Sequence, residues 1–152
     1  MKKITPFLWF DGQAEEAMNF YVSVFKNSKV LGLTPGPNGS AQSVSFELDG
    51  QEFIGLNAGP NFKFNEAISF LVDCKTQEEV NELWEKLSAD GGEESMCGWL
   101  KDKYGLSWQI IPSALSEMLG DRDPEKANRV MQAMLKMQKI VIADLQKAYD
   151  GE

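Results

Sequence analysis

Gln42-Ser43-Val44-Ser45-Phe46-Glu47-Leu48-Asp49-Gly50-Gln51-Glu52-Phe53-Ile54-Gly55-Leu56-Asn57 is the stretch that decides the fold. Two strand-like runs, 42–48 and 52–57, flank an Asp-Gly pair. Both central positions of a type I′ turn need positive φ, so Asp49-Gly50 between such runs predicts a β-hairpin. Toward the amino end, residues 29–34 form a further strand-like run, set off by the loop Pro35-Gly36-Pro37-Asn38-Gly39-Ser40. Before it, Ala14, Ala17, Met18, Tyr21, Val22 and Phe25 recur at the spacing of one helix face. Residues 4–10 are apolar and aromatic and stop at Asp11-Gly12, which reads as a buried strand. The first half is therefore β-α-β-β-β.

The order repeats after a loop at 59–65. Residues 67–74 read as a strand, and Thr76 with Glu79 makes a capping box for a helix striped by Val80, Leu83, Trp84 and Leu87. That helix stops at Gly91-Gly92, and residues 96–102 and 106–111 are further strand candidates, with 93–95 leading in. Two such units point to an internal duplication. The fold class is thus α+β, two βαβββ modules (1–58 and 66–112) within one domain spanning 1–152. A helical tail, 113–152, follows. In it Asp123 is an N-cap with Pro124 at the first helical position. The expected helix runs through Val130, Met131, Met134 and Met137, and the β-branched Ile140, Val141 and Ile142 predict a break before 143–149.

The chain has 152 residues, 43% hydrophobic and 25% charged, and should bury roughly 70% of its unfolded surface. Fifteen Lys and Arg against 23 Asp and Glu give a formal charge of −8. Such a balance lacks the basic field that nucleic acid or an anionic membrane requires. Two cysteines and no secretory pattern at the amino end make a reduced, cytoplasmic setting the expectation.

No histidine occurs anywhere. That removes Ser-His-Asp triads, Cys-His pairs and mixed-ligand zinc sites together, and two cysteines cannot supply four thiolates. No Gly-rich loop joins a strand to a helix, so neither nucleotide fingerprint is present. Cys97 is the candidate reactive thiol, because Lys101 and Lys103 follow closely and would favour a thiolate; without a base, the plainer reading is a packed free Cys. The aromatics Trp9, Phe46, Phe53, Trp99 and Trp108 sit on strands of both halves. Core packing explains most of them, and the alternative is that some line a ligand cavity with Asn57, Ser69 and Gln109 as its polar groups.

Trp9-Phe10-Asp11-Gly12, Asn19-Phe20-Tyr21, Ala67-Ile68-Ser69-Phe70-Leu71-Val72, and Gly98-Trp99-Leu100-Lys101-Asp102-Lys103-Tyr104-Gly105 with Ser107-Trp108-Gln109-Ile110 resemble the PhnB-like proteins. These are a branch of the vicinal-oxygen-chelate superfamily, with glyoxalase I, bleomycin-resistance proteins and extradiol dioxygenases, and the resemblance extends into the tail at Asp123-Pro124-Glu125-Lys126-Ala127. It implies two modules whose curved mixed sheets surround a shared cavity. In the superfamily's metalloenzymes His and Glu from the first and last strands of each module hold a divalent ion. By position these fall near Thr5, Asn57 and Ala67 and at Gln109, none a His, Asp or Glu. The expectation is therefore no metal and no cofactor, and a metal-independent small-molecule binding protein. The alternative is an enzyme of unknown reaction, including the demethylubiquinone methyltransferase label that PhnB-like chains often carry. A third possibility is an assembly role with the cavity plugged by Trp9 and Trp108. A homodimer is expected, with the Met131, Met134 and Met137 stripe as an apolar surface.

Overall fold

The computed structural model describes residues 2–152. Two compact units divide the chain, one ending at Phe64 and the other running from Asn65 to Glu152. Each holds one four-stranded mixed sheet, so the architecture is α+β with two βαβββ modules.

The first unit comprises β1 (Phe7–Phe10), α1 (Ala14–Val24), β2 (Lys29–Pro35), β3 (Ala41–Leu48) and β4 (Gln51–Asn57), with strand order β1-β4-β3-β2. The hairpin turns where the Asp-Gly pair predicts, with φ of 46° at Asp49 and 85° at Gly50. β1 begins later than residue 4 because Pro6 has no N–H to add to a ladder; only its carbonyl pairs, accepting from Ile54 N at 3.0 Å. Ala14, Ala17, Met18 and Tyr21 are the buried stripe of α1. Tyr21 stacks on Phe46 and Phe46 on Phe53, at centroid distances of 6.1 and 5.4 Å. Segment 59–65, a loop by its sequence, mostly folds back on this unit: Phe62 meets Trp9 edge-on at 4.8 Å and Phe64 meets Phe10 at 5.4 Å.

The second unit comprises β5 (Ser69–Cys74), α2 (Gln77–Ser88), β6 (Glu93–Glu94), β7 (Trp99–Lys101), β8 (Ser107–Pro112), α3 (Ser113–Leu119), α4 (Pro124–Met134) and α5 (Ile142–Asp150), with sheet order β5-β8-β7-β6. Thr76 caps α2 by accepting from Glu79 N at 3.2 Å, while the Glu79 carboxylate reaches back to Lys75 N at 3.3 Å. Val80, Leu83, Trp84 and Leu87 are its buried stripe.

β5 starts at Ser69 rather than 67, and two more predicted elements are shorter than their patterns. The strand expected from 96 starts at Trp99, because Cys97 and Gly98 take φ of 60° and 84°. Their N–H groups leave the sheet and donate to Met137 O and Gln138 O, each at 2.8 Å. The same bonds end α4 at Met134 rather than Met137: Lys136 and Met137 close tight turns onto Ala133 and Met134, and the next carbonyls turn to residues 97 and 98. A break precedes the last helix, as the β-branched run predicts, but it spans 135–141 and Ile142 already opens α5. Gln77 clamps it, donating to Ile140 O at 3.0 Å and accepting from Ile142 N at 2.7 Å.

The tail belongs to the second unit and shares a core with its sheet, built from Ile111, Leu115, Val130, Ile140 and Leu145. Met134 and Met137 pack against that core, whereas Met131 is 38% exposed. The methionine stripe is thus split between interior and surface. Among the described residues, no helix is long and apolar enough to cross a membrane.

Candidate functional site

α1 covers one face of the first sheet and α2 one face of the second, and strand alternation sends every second side chain to the other face. Of the residues that the sequence offers as cavity lining, Phe46, Phe53, Asn57 and Trp108 stand on the helix-covered sides. Phe46, Phe53 and Trp108 are 1%, 5% and 3% exposed. Asn57 is a remote cap: its Oδ1 accepts from Ala14 N and its Nδ2 donates to Ala41 O, both at 2.9 Å. It satisfies the first turn of α1, for which Gln13 provides no side-chain cap.

Trp9, Ser69, Trp99 and Gln109 occupy the faces turned away from α1 and α2; on the second sheet the tail packs at the Ile111 end of that face. Trp9 lies opposite Leu56 across the parallel β1–β4 ladder, and its Nε1 donates to Gly59 O at 2.8 Å. On the second sheet the register aligns Glu93, Lys101, Ser107 and Ser69 in one row across four strands. The next row holds Trp99, Gln109 and Leu71. Gln109 Nε2 donates to Ser69 Oγ at 2.9 Å, linking the rows.

Against this face lies a recess of about 270 Å³, lined by Glu66, Glu93, Glu94, Trp99, Lys101 and Ser107 among others. Lys101 Nζ pairs with the Glu66 carboxylate, which arrives from the segment before β5. That hydrogen bond holds the Glu66 carboxyl below the usual carboxylate range and raises the Lys101 ammonium, so both stay charged around neutrality. Glu94 accepts from Trp84 Nε1. Ser107 is 1% exposed, and its Oγ is a buried polar side-chain atom without a hydrogen-bond partner. Sequence reasoning missed Glu66, Glu93, Lys101 and Ser107 as a group, since only cross-strand register brings them together.

The motif 98–105 encodes a turn. Asp102, 2% exposed, accepts from Tyr104 N at 2.9 Å, Leu106 N at 3.1 Å and Trp108 Nε1 at 2.9 Å. Its carboxylate fastens the β7–β8 connection to the helix-covered core.

The four positions that the resemblance aligns with metal ligands offer a hydroxyl, two amides and a methyl. Thr5 Oγ1 donates to Lys2 O at 3.2 Å, Asn57 and Gln109 are engaged as described, and Ala67 has no donor atom. Among the described residues no three His, Cys, Asp or Glu side chains gather as a metal cage. These residues do not fit a transition metal.

The lysines invoked for Cys97 have other partners: Lys101 binds Glu66, and Lys103 lies 5.6 Å over the Tyr104 ring. Cys74 is fully buried, and its thiol is pushed up to about 12, chiefly by burial and further by Glu79 and Asp73. Cys74 thus stays a thiol at neutral and mildly alkaline pH, where the reacting form is the thiolate. Maleimide labelling of native protein should therefore modify Cys97 and spare Cys74 until denaturant is added. Two equivalents reacting at one rate would contradict that burial.

A family model described as 3-demethylubiquinone-9 3-methyltransferase matches residues 2–111. The tail lies beyond it. The PhnB protein from Bacillus cereus is 38% identical over 73% of this chain and 99% of its own, with a TM-score of 0.69. PA1353 from Pseudomonas aeruginosa has the same fold at 16% identity, TM-score 0.61, covering 74% of this chain and 98% of its own. So does the fosfomycin resistance protein FosX from Listeria monocytogenes, at 16% identity, TM-score 0.57, covering 79% and 98%. No curated protein matches the chain. Matched over most of its length by that model and 38% identical to the Bacillus protein, the chain belongs to the PhnB-like, 3-demethylubiquinone-9 3-methyltransferase family.

Proposed function

We propose that this protein binds a small molecule without a metal, on the face of its second sheet opposite α2. The observation that carries the reading is the recess of about 270 Å³ there, with an aromatic wall at Trp99 and polar groups from several strands. Ligand sites combine an apolar surface with a few convergent polar groups, and this recess falls just under their usual lower size of about 300 Å³, which suits a small ligand. The neutral oxygens of Thr5, Asn57 and Gln109 bind divalent ions weakly without charged ligands beside them. Glu66, one residue from Ala67, is committed to Lys101.

The rival reading is an enzyme, and the methyltransferase description of the family favours it. Turnover would appear as a product peak when purified protein is incubated with a metabolite mixture. We also propose a homodimer, with Met131 and Leu135, 38% and 49% exposed on and just after α4, as apolar surface.

Native mass spectrometry tests these points together. The expected spectrum is a dimer carrying a co-purified small molecule, with well under one transition metal per chain and no change in melting temperature on adding chelator. A stoichiometric transition metal lost to chelator would overturn the metal-free reading. A lone 17.0 kDa species would remove the dimer.

A further inference from the structure

We infer that the recess on the second sheet selects a small ammonium-bearing molecule, with Ser107 Oγ accepting from the ammonium and Glu93 supplying the counter-charge. This rests on the small-molecule reading above and names its ligand class. Two carboxylates, Glu66 and Glu93, stand with one ammonium, Lys101, on this side of the sheet, while Glu94 lines the edge and sends its side chain to the α2 side. Glu66 is spent on Lys101 and Glu94 on Trp84. Glu93 makes no side-chain hydrogen bond among the described residues and stands in the same cross-strand row as Lys101 and Ser107.

The orphaned hydroxyl is the independent observation. A buried polar atom with no partner is uncommon, and a ligand that supplies the partner removes its cost. An anion would meet Lys101, but that ammonium is already neutralised, and the remaining field is negative. A cation gains from Glu93, from the Ser107 oxygen and from the Trp99 ring, whose face attracts positive charge. The chain's formal charge of −8 draws cations in the same sense.

Three probes of one size separate charge from shape: benzylamine, benzyl alcohol and benzoate. Titrated into ¹⁵N-labelled full-length protein, benzylamine should shift the backbone amides of Glu94, Trp99, Lys101 and Ser107, and benzoate should bind at least about tenfold more weakly. Ser107→Ala should weaken benzylamine about five- to tenfold, and Glu93→Gln about three- to tenfold. Ser107→Ala should also keep its melting temperature or raise it by about 2–5 °C, because it deletes an unsatisfied hydroxyl.

Benzyl alcohol or benzoate binding there as tightly as benzylamine would overturn the ammonium assignment and leave the small-molecule reading standing. Equal benzylamine affinity in Ser107→Ala, with fold intact, would remove the hydroxyl's role. If no probe moves those amides, the recess itself is excluded, and a co-purified ligand seen by mass spectrometry would then belong elsewhere.

Discussion

Gly98→Ala should lower the melting temperature by about 5–15 °C and loosen the helical tail. Gly98 has φ of 84°, and a Cβ there would lie 2.8 Å from Ile111 Cδ1, 3.1 Å from Ile110 O and 3.1 Å from Ile140 Cγ1. The left-handed conformation costs an L residue about 1–2 kcal/mol, and overpacking a filled core adds about 1–3 kcal/mol. For a chain of this size each kcal/mol moves the midpoint about 2–4 °C. The clash falls where the tail is tied down, since Ile111 and Ile140 belong to the shared core and Gly98 N bonds Gln138 O. Trypsin should therefore cut at Lys136 and Lys139 faster in the variant than in the parent. A midpoint within about 2 °C of the parent, with unchanged cleavage, would show that the contact relaxes freely.

Asp102→Ala should cost about 3 kcal/mol or more, or roughly 6–12 °C. Three N–H groups, from Tyr104, Leu106 and the Trp108 indole, lose their acceptor at once. An unsatisfied buried donor costs about 1–3 kcal/mol. Two of these bonds lie in the buried interior, beyond easy rescue by water. Asp102→Asn keeps one acceptor oxygen and should lose less. Thermal denaturation of both variants decides the matter: an alanine variant as stable as the parent would mean that the carboxylate is not what holds the β7–β8 turn.

Much of the fold is legible in the chain because its signals are local. Asp49-Gly50 closes the hairpin, Thr76 with Glu79 starts α2, and Asp123-Pro124 starts α4, each by chemistry within a few residues. The misplaced strand start at 96 has the opposite cause. Cys97 and Gly98 look strand-like by composition, but their N–H groups are claimed by carbonyls some 40 residues away, and φ follows the partner. Asn57 looks like a polar group of a cavity because its amide could serve either face. Pairing Leu56 with Trp9 turns Asn57 toward α1 instead.

The sequence by itself determined the two βαβββ modules and the helix stripes that form their cores, and it supplied no His, Asp or Glu at the four positions that the resemblance aligns with metal ligands. Periodicity, turn residues and donor atoms are properties of short stretches or single side chains. Tertiary structure alone decided which polar residues meet. Glu66, Glu93, Lys101 and Ser107 come from separate segments and share a recess only because β6, β7 and β8 pair in one register. A one-residue slip between neighbouring strands would carry each side chain to the opposite face, and register is set by the whole sheet's packing on α2 rather than by spacing along the chain.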